Sequence, residues 1–220
     1  MTSWMIRKWP ISERTFSGMV IRMLTQQRKE KERALIAGDA SAEAVAALIF
    51  MALHDEFQFG KVRVEQSFRL WNDLPYSASY ESQVSRNGYN RGRMDRNFVK
   101  KVMIVIGADK IDNKRLRNTL YQVLTDTVIN MLYVLCNKYG FKAAEVHRLE
   151  KRLYDYAEIM LDPKTYGVTI WQFMASIRYE LNVRCDMLKE HEKKYGRVDL
   201  GPKWGLNQIT GKPRKKNEAI

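Results

Sequence analysis

Cysteine is scarce in this chain: Cys136 and Cys185 are the two in 220 residues. No disulfide framework and no CxxC metal knuckle can be built from them, which points to a reducing, cytoplasmic setting. Histidine is as sparse, with His54, His147 and His191 scattered along the sequence. The longest apolar run, residues 44–53, is about half of what a membrane span needs. Arg7 and Lys8 near the start are followed by no apolar stretch and small-residue cleavage site, so a secretory signal is not expected. GxSxG and a phosphate-binding glycine loop are both missing. These absences argue against secreted, membrane and zinc-finger classes and leave no motif for nucleophilic catalysis.

The chain has 45% apolar and 11% aromatic residues, enough to build a real core at this length. It also carries a formal charge of +13, and that charge comes in blocks. Residues 1–33 carry +5, 34–85 carry −4, 86–117 carry +7, 118–188 are neutral, and 189–220 carry +5. A blocked excess marks a surface that meets a polyanion, whereas a uniform one marks only solubility.

Apolar periodicity predicts an all-α fold. A long basic helix is expected over 12–37, stopped at Gly38, with Asp39 or Ser41 capping the next. A buried, Ala-rich helix follows over 42–57 and breaks at Phe59-Gly60. An amphipathic helix over 61–74 ends at Pro75. Periodicity vanishes over 75–93, which reads as the main loop. Residues 94–106 read as a helix, with the β-branched stretch 102–106 also readable as a strand. Asp112 is expected to cap a long helix to residue 139, ended by Gly140. Helices over 142–161, 169–181 and 184–195 complete the set, and the tail from Gly196 reads as flexible.

A weak internal duplication runs through this pattern. Leu53-His-Asp-Glu-Phe57-Gln-Phe59 aligns with Leu135-Cys-Asn-Lys-Tyr139-Gly-Phe141. Each copy closes a very apolar helix and is followed by an amphipathic one, with Val64 matching Val146. Farther along, Phe98 matches Phe173 and Val102 matches Ile177. The reading is two similar helical units, 39–111 and 112–195, joined through 42–57 and 119–136 and flanked by an N-terminal basic helix (1–38) and a flexible basic tail (196–220).

The string ALHDEFQFGKVRVEQSFRLWNDL, residues 52–74, resembles a segment of short α-helical proteins encoded by prophages of Gram-positive bacteria. Such a likeness implies a phage or mobile-element origin. It carries over no catalytic residue, and this chain differs in having two units, a long leading helix and a basic loop.

Candidate chemistry is thin apart from that loop. His54 and Cys136 occupy matching positions of the duplication, but two ligands fall short of a stable metal site. Asp55 and Glu56 point about 100° apart on a helix and are expected to face solvent or to pair with Lys61 or Arg63, rather than hold a catalytic ion. No cofactor and no enzymatic activity are expected. The segment around Arg86, Tyr89, Arg91, Arg93 and Arg96, followed by Lys100 and Lys101, is the strongest candidate. Arginine forks bind phosphate, glycine lets backbone amides approach it, and Tyr89 offers a ring for an unpaired base. Lys114 and Arg115 at the next helix start would extend the patch, and Lys212-Pro-Arg-Lys-Lys216 in the tail resembles a flexible phosphate anchor. Docking on an acidic protein surface, or a plain linker role, remain the alternatives for the loop. The expected function is non-enzymatic binding of nucleic acid or a nucleoprotein complex in the bacterial host cytoplasm, with a homodimer possible. The other reading is a phage-encoded inhibitor of a defence enzyme, such as a CRISPR effector, acting by protein–protein contact.

Overall fold

The computed structural model describes residues 30–75, 77 and 79–200, with side chains from residue 37 onward. The N-terminal helix expected over 12–37 lies outside these residues as far as position 29, as do residues 201–220 of the tail. Among the described residues there are helices and no strand. They are α1 (Glu30–Phe57), α2 (Lys61–Asn72), α3 (Tyr80–Arg86), the composite α4, α5 (Lys114–Tyr139), α6 (Ala143–Leu161), the single turn α7 (Pro163–Tyr166), α8 (Ile170–Leu181) and α9 (Asp186–Tyr195). α4 consists of an α-helical turn Arg91–Met94, a π-helical turn Asp95–Val99 and an α-helical piece Lys100–Val105.

Several sequence expectations are corrected. Gly38 does not stop a helix, because α1 runs through it. It faces α5 instead, with Val123 at 3.5 Å, an ordinary van der Waals distance, from where a Cβ would stand. Ser41 caps nothing: its hydroxyl donates to the Ala37 carbonyl at 2.7 Å inside the helix. Asn113, not Asp112, caps α5, its side-chain oxygen accepting the Leu116 N–H at 3.1 Å. The supposed loop 75–93 contains α3, whose Tyr80 and Val84 are buried, and the start of α4 at Arg91. Two apolar residues at i and i+4 were too few to register as a period. The expected helix over 94–106 is present as far as Val105, with Ile106 as its C-cap, and the strand alternative for 102–106 does not hold.

α1 and α5 form the centre. They run side by side in the same direction: Gly38 lies against Val123 and, toward the other end, Phe57 packs on Phe141 with ring centroids 4.7 Å apart. The stretch Ala44 to Leu53 is buried on all sides, which accounts for an apolar run with little amphipathic bias. By length and mean hydropathy (1.2), Ala37–Phe57 would also pass for a membrane span, yet 78% of that window is buried inside the fold. Its lipid-like surface is covered by α5, α6 and α8.

The amphipathic helices cross over. α6 packs along α1 rather than on α5, the helix it follows, and α2 lies against α5. The same exchange holds for polar contacts. Tyr139 at the end of α5 donates its hydroxyl to the Arg63 carbonyl of α2 at 3.2 Å. Glu56 near the end of α1 binds Arg148 (3.3 Å) and Arg152 of α6. α8 seats on both α1 and α2, while α4 seats on α5 and α6.

The two aligned turns share one backbone geometry. The Phe59 N–H donates to Leu53 O at 3.1 Å, and the Phe141 N–H to Leu135 O at 3.3 Å. Gln58 (φ 54) and Gly140 (φ 69) both occupy the left-handed region, as this kind of helix C-terminus requires. Phe98 and Phe173, matched by the alignment, are both fully buried.

Candidate nucleic-acid interface

The segment from Arg86 to Lys101 is tied to three acids outside it, Glu81, Glu150 and Glu158. After α3, the chain turns at Gly88 (φ 92), where a Cβ would stand 2.7 Å from Ala143; only glycine fits between these two elements. Asn90 then caps α4, accepting the Arg93 N–H at 2.9 Å. Its own N–H donates to Glu150 of α6 at 3.3 Å. Glu150 is 5% exposed and also binds the Arg93 guanidinium. On the other side of α4, Arg91 binds Glu81 of α3 at 2.7 Å and Asp95, one turn on, at 3.5 Å. Burial opposes the Arg91 charge, but these two carboxylates outweigh it and raise its pKa. Tyr121 of α5 is pushed up to about 12 by burial and by its hydrogen bond to Asp95.

Tyr89 requires a correction. It is 4% exposed, so its ring is a core residue in this structure and offers no platform to a base. Its hydroxyl is held well above its ordinary range, first by burial and then by Asp95 and Glu81. Three buried polar atoms of this joint, Tyr89 Oη, Arg93 Nε and Asp95 Oδ1, have no hydrogen-bond partner among the described residues.

Of the eight predicted cations, three are engaged internally. Arg91 and Arg93 are ion-paired as above, and Lys101 binds Glu158 at 2.5 Å and covers the Tyr154 ring at 5.2 Å. Arg86, Arg96, Lys100, Lys114 and Arg115 are exposed. Arg96 and Lys100 stand on the outward ridge of α4 with Gly92 and Ile104. The π-helical turn sets that ridge: the Lys100 N–H reaches back five residues to Asp95 O. Single π turns are concentrated at functional sites.

At the head of α5, Lys114 and Arg115 share one helix face with Asn118, Thr119, Gln122 and Val123. Arg117, on the same first turns, reaches the Ile111 carbonyl at 3.4 Å. The first turn of α5 holds no acid. Arg86 sits at the other end of the long helices, since the turn after it abuts Ala143 at the start of α6. The exposed cations therefore stand in three places: Arg86 at the end of α3, Arg96 and Lys100 on α4, and Lys114 and Arg115 at the head of α5.

Elsewhere, the residues considered for other chemistry have structural employment. His54 Nδ1 lies 2.9 Å from the Phe59 carbonyl across the turn. Burial raises the half-buried Cys136 thiol to about 11. Asp55 is exposed, as one of the two expectations had it, and accepts the Tyr156 hydroxyl at 2.5 Å; Glu56 pairs with Arg148 and Arg152 rather than with Lys61 or Arg63. No group of three or more possible metal-ligating side chains stands together among the described residues.

Comparison with known proteins adds no relative: no family model, no curated protein and no solved structure matches the chain.

Proposed function

We propose that this chain binds nucleic acid, or a nucleoprotein complex, without chemistry of its own. Its phosphate contacts come from Lys114 and Arg115 at the head of α5 and from Arg96 and Lys100 on the α4 ridge, with Arg86 as an outlying contact. One observation carries this reading. The N-terminus of a helix is already electropositive and favours acids in its first turn; α5 instead opens on Lys114, Arg115 and Arg117 with no acid among them. That arrangement disfavours the isolated helix and favours an anion held at its end. The internal pairing of Arg91, Arg93 and Lys101 makes them supports of the fold and leaves the phosphate contacts to the exposed cations.

Gel-shift titration with generic DNA and RNA across a salt series tests the proposal. Lys114→Glu with Arg115→Glu should weaken binding at least tenfold at 0.1 M salt and lower the log–log salt slope by about 2. No shift at low salt, or a slope near zero, sinks it.

Three further elements belong to the same reading. The chain is a duplicated helical unit: the shared geometry of the two aligned turns and the exchange of α2 and α6 between the central helices support this. The likeness of residues 52–74 to prophage-encoded helical proteins supports a place in the cytoplasm of an infected bacterium. It equally motivates the inhibitor reading, in which the exposed cations meet an acidic protein face. Pull-down from host lysate with and without nuclease separates the two, since partners that survive nuclease favour the protein contact.

A further inference from the structure

Between α1, α2 and the link from α8 to α9 lies a cavity of about 210 Å3. Its inner wall is aromatic. The Phe68 ring stands 6.1 Å from Phe50 and 5.9 Å from Trp71, centroid to centroid. Its lining includes the acids Asp39, Glu43 and Asp186. Arg184, the one lysine or arginine among the described lining residues, is bound to Asp186 at 2.9 Å. In a chain of charge +13, this is a locally anionic, apolar-walled recess. Apolar pockets with a few convergent polar groups are the usual form of small-ligand sites.

Glu43 is the polar centre. The Met187 N–H at the start of α9 donates to both of its oxygens, at 3.1 and 3.2 Å. One N–H shared by two oxygens leaves most of the carboxylate's acceptor capacity unused. Asp39 comes from its own helix, while Asp186 and Arg184 face it from α9 and the link before it. Cys185 beside them has its thiol raised to about 12, first by burial and then by Glu43, and stays neutral. The α2 wall contributes Phe68, Trp71 and Asn72, none of which titrates.

We propose that this cavity binds a small organic cation, an ammonium or guanidinium on a flat apolar body, with the charge at Glu43 and the body against Phe68 and Trp71. A dry cavity of about 150 Å3 admits benzene, so this one takes a single ring with a short cationic arm. Aromatic faces attract cations, and an anion would meet three carboxyl groups in the lining. Glu43 is pushed up to about 7, chiefly by burial and further by Asp186, against the opposing Met187 N–H and Arg184. Binding therefore strengthens as pH rises through 7 and the carboxylate ionises.

The proposal is independent of the nucleic-acid reading. Calorimetric titration of the full chain with benzylamine, benzyl alcohol and benzoate tests it. At pH 8 the amine, which is charged at both pH values used, should bind saturably and at least tenfold tighter than the alcohol, and benzoate should not bind. At pH 6 the amine should bind about tenfold more weakly. Glu43→Gln, shown to be folded by a cooperative melt, should lose the preference for the amine while still accepting the alcohol. Equal affinity for amine and alcohol, amine binding unchanged in Glu43→Gln, or no saturable binding by the amine would each overturn the assignment.

Discussion

Glu150 determines how the arginines of residues 86–101 are used. Being 5% exposed, it needs Arg93. Arg93→Ala leaves it with the Asn90 N–H at 3.3 Å and His147 at 3.9 Å, and should cost about 3 kcal/mol in chemical denaturation. Arg96→Ala, on the open ridge, should stay within about 0.5 kcal/mol of the parent. Part of this was legible in the sequence: Arg91 and Asp95 are spaced i, i+4. The Arg93–Glu150 pair was not, because its partners are 57 residues apart in the chain and meet only through packing. The same holds for Tyr89, which looks exposed between Asn and Gly and is buried only because Gly88 presses against α6. A second prediction concerns Glu43. A carboxyl normally titrating near 4.5 is raised to about 7 in the fold. Its stabilising contribution is therefore full below 4.5 and is lost as pH rises toward 7. Glu43→Gln should match the parent near pH 4.5 and exceed it by about 2 kcal/mol at pH 8, as read from urea midpoints at the two pH values.

The two turns that end α1 and α5 use the same hydrogen bond but different residues in the left-handed position. Gln58 holds φ 54 with a side chain, while Gly140 holds φ 69 without one. Left-handed backbone costs an ordinary residue about 1 kcal/mol relative to glycine. Gln58→Gly should accordingly raise stability by about 0.5–1 kcal/mol, and Gly140→Ala should lower it by about 1 kcal/mol, both visible as shifts in the denaturation midpoint with an unchanged slope. A Gln58→Gly variant that is less stable than the parent would show the strain to be relieved elsewhere. Helix positions were readable from apolar spacing wherever a helix has a long one-sided stripe, as α6 does with Val146, Leu149, Leu153 and Tyr156. Their ends were less so. Gly38 looks like a stop in sequence, but α1 continues through it and packs there on Val123 of α5, which only the packing reveals.

The folded chain is interlocked: α1 is covered mainly by α5, α6 and α8, all from beyond residue 111. Fragments 30–111 and 112–200 should each fail to give a cooperative melt alone, and recover one transition when mixed in equal amounts. Independent melting of either fragment would contradict the packing described. At this scale the sequence was informative about class and charge blocks but silent about which helix covers which, since exchanging α2 and α6 between the central pair leaves every local pattern intact. The interlocking also bears on synthesis. α1 is complete at residue 57, whereas its cover ends with α8 at residue 181. At the usual pace of about 5–20 residues per second, its bare apolar surface waits on the order of 6–25 s at the ribosome exit. For that interval it offers a nascent-chain chaperone a 21-residue ligand of mean hydropathy 1.2, hidden from every later encounter once the last helices close over it.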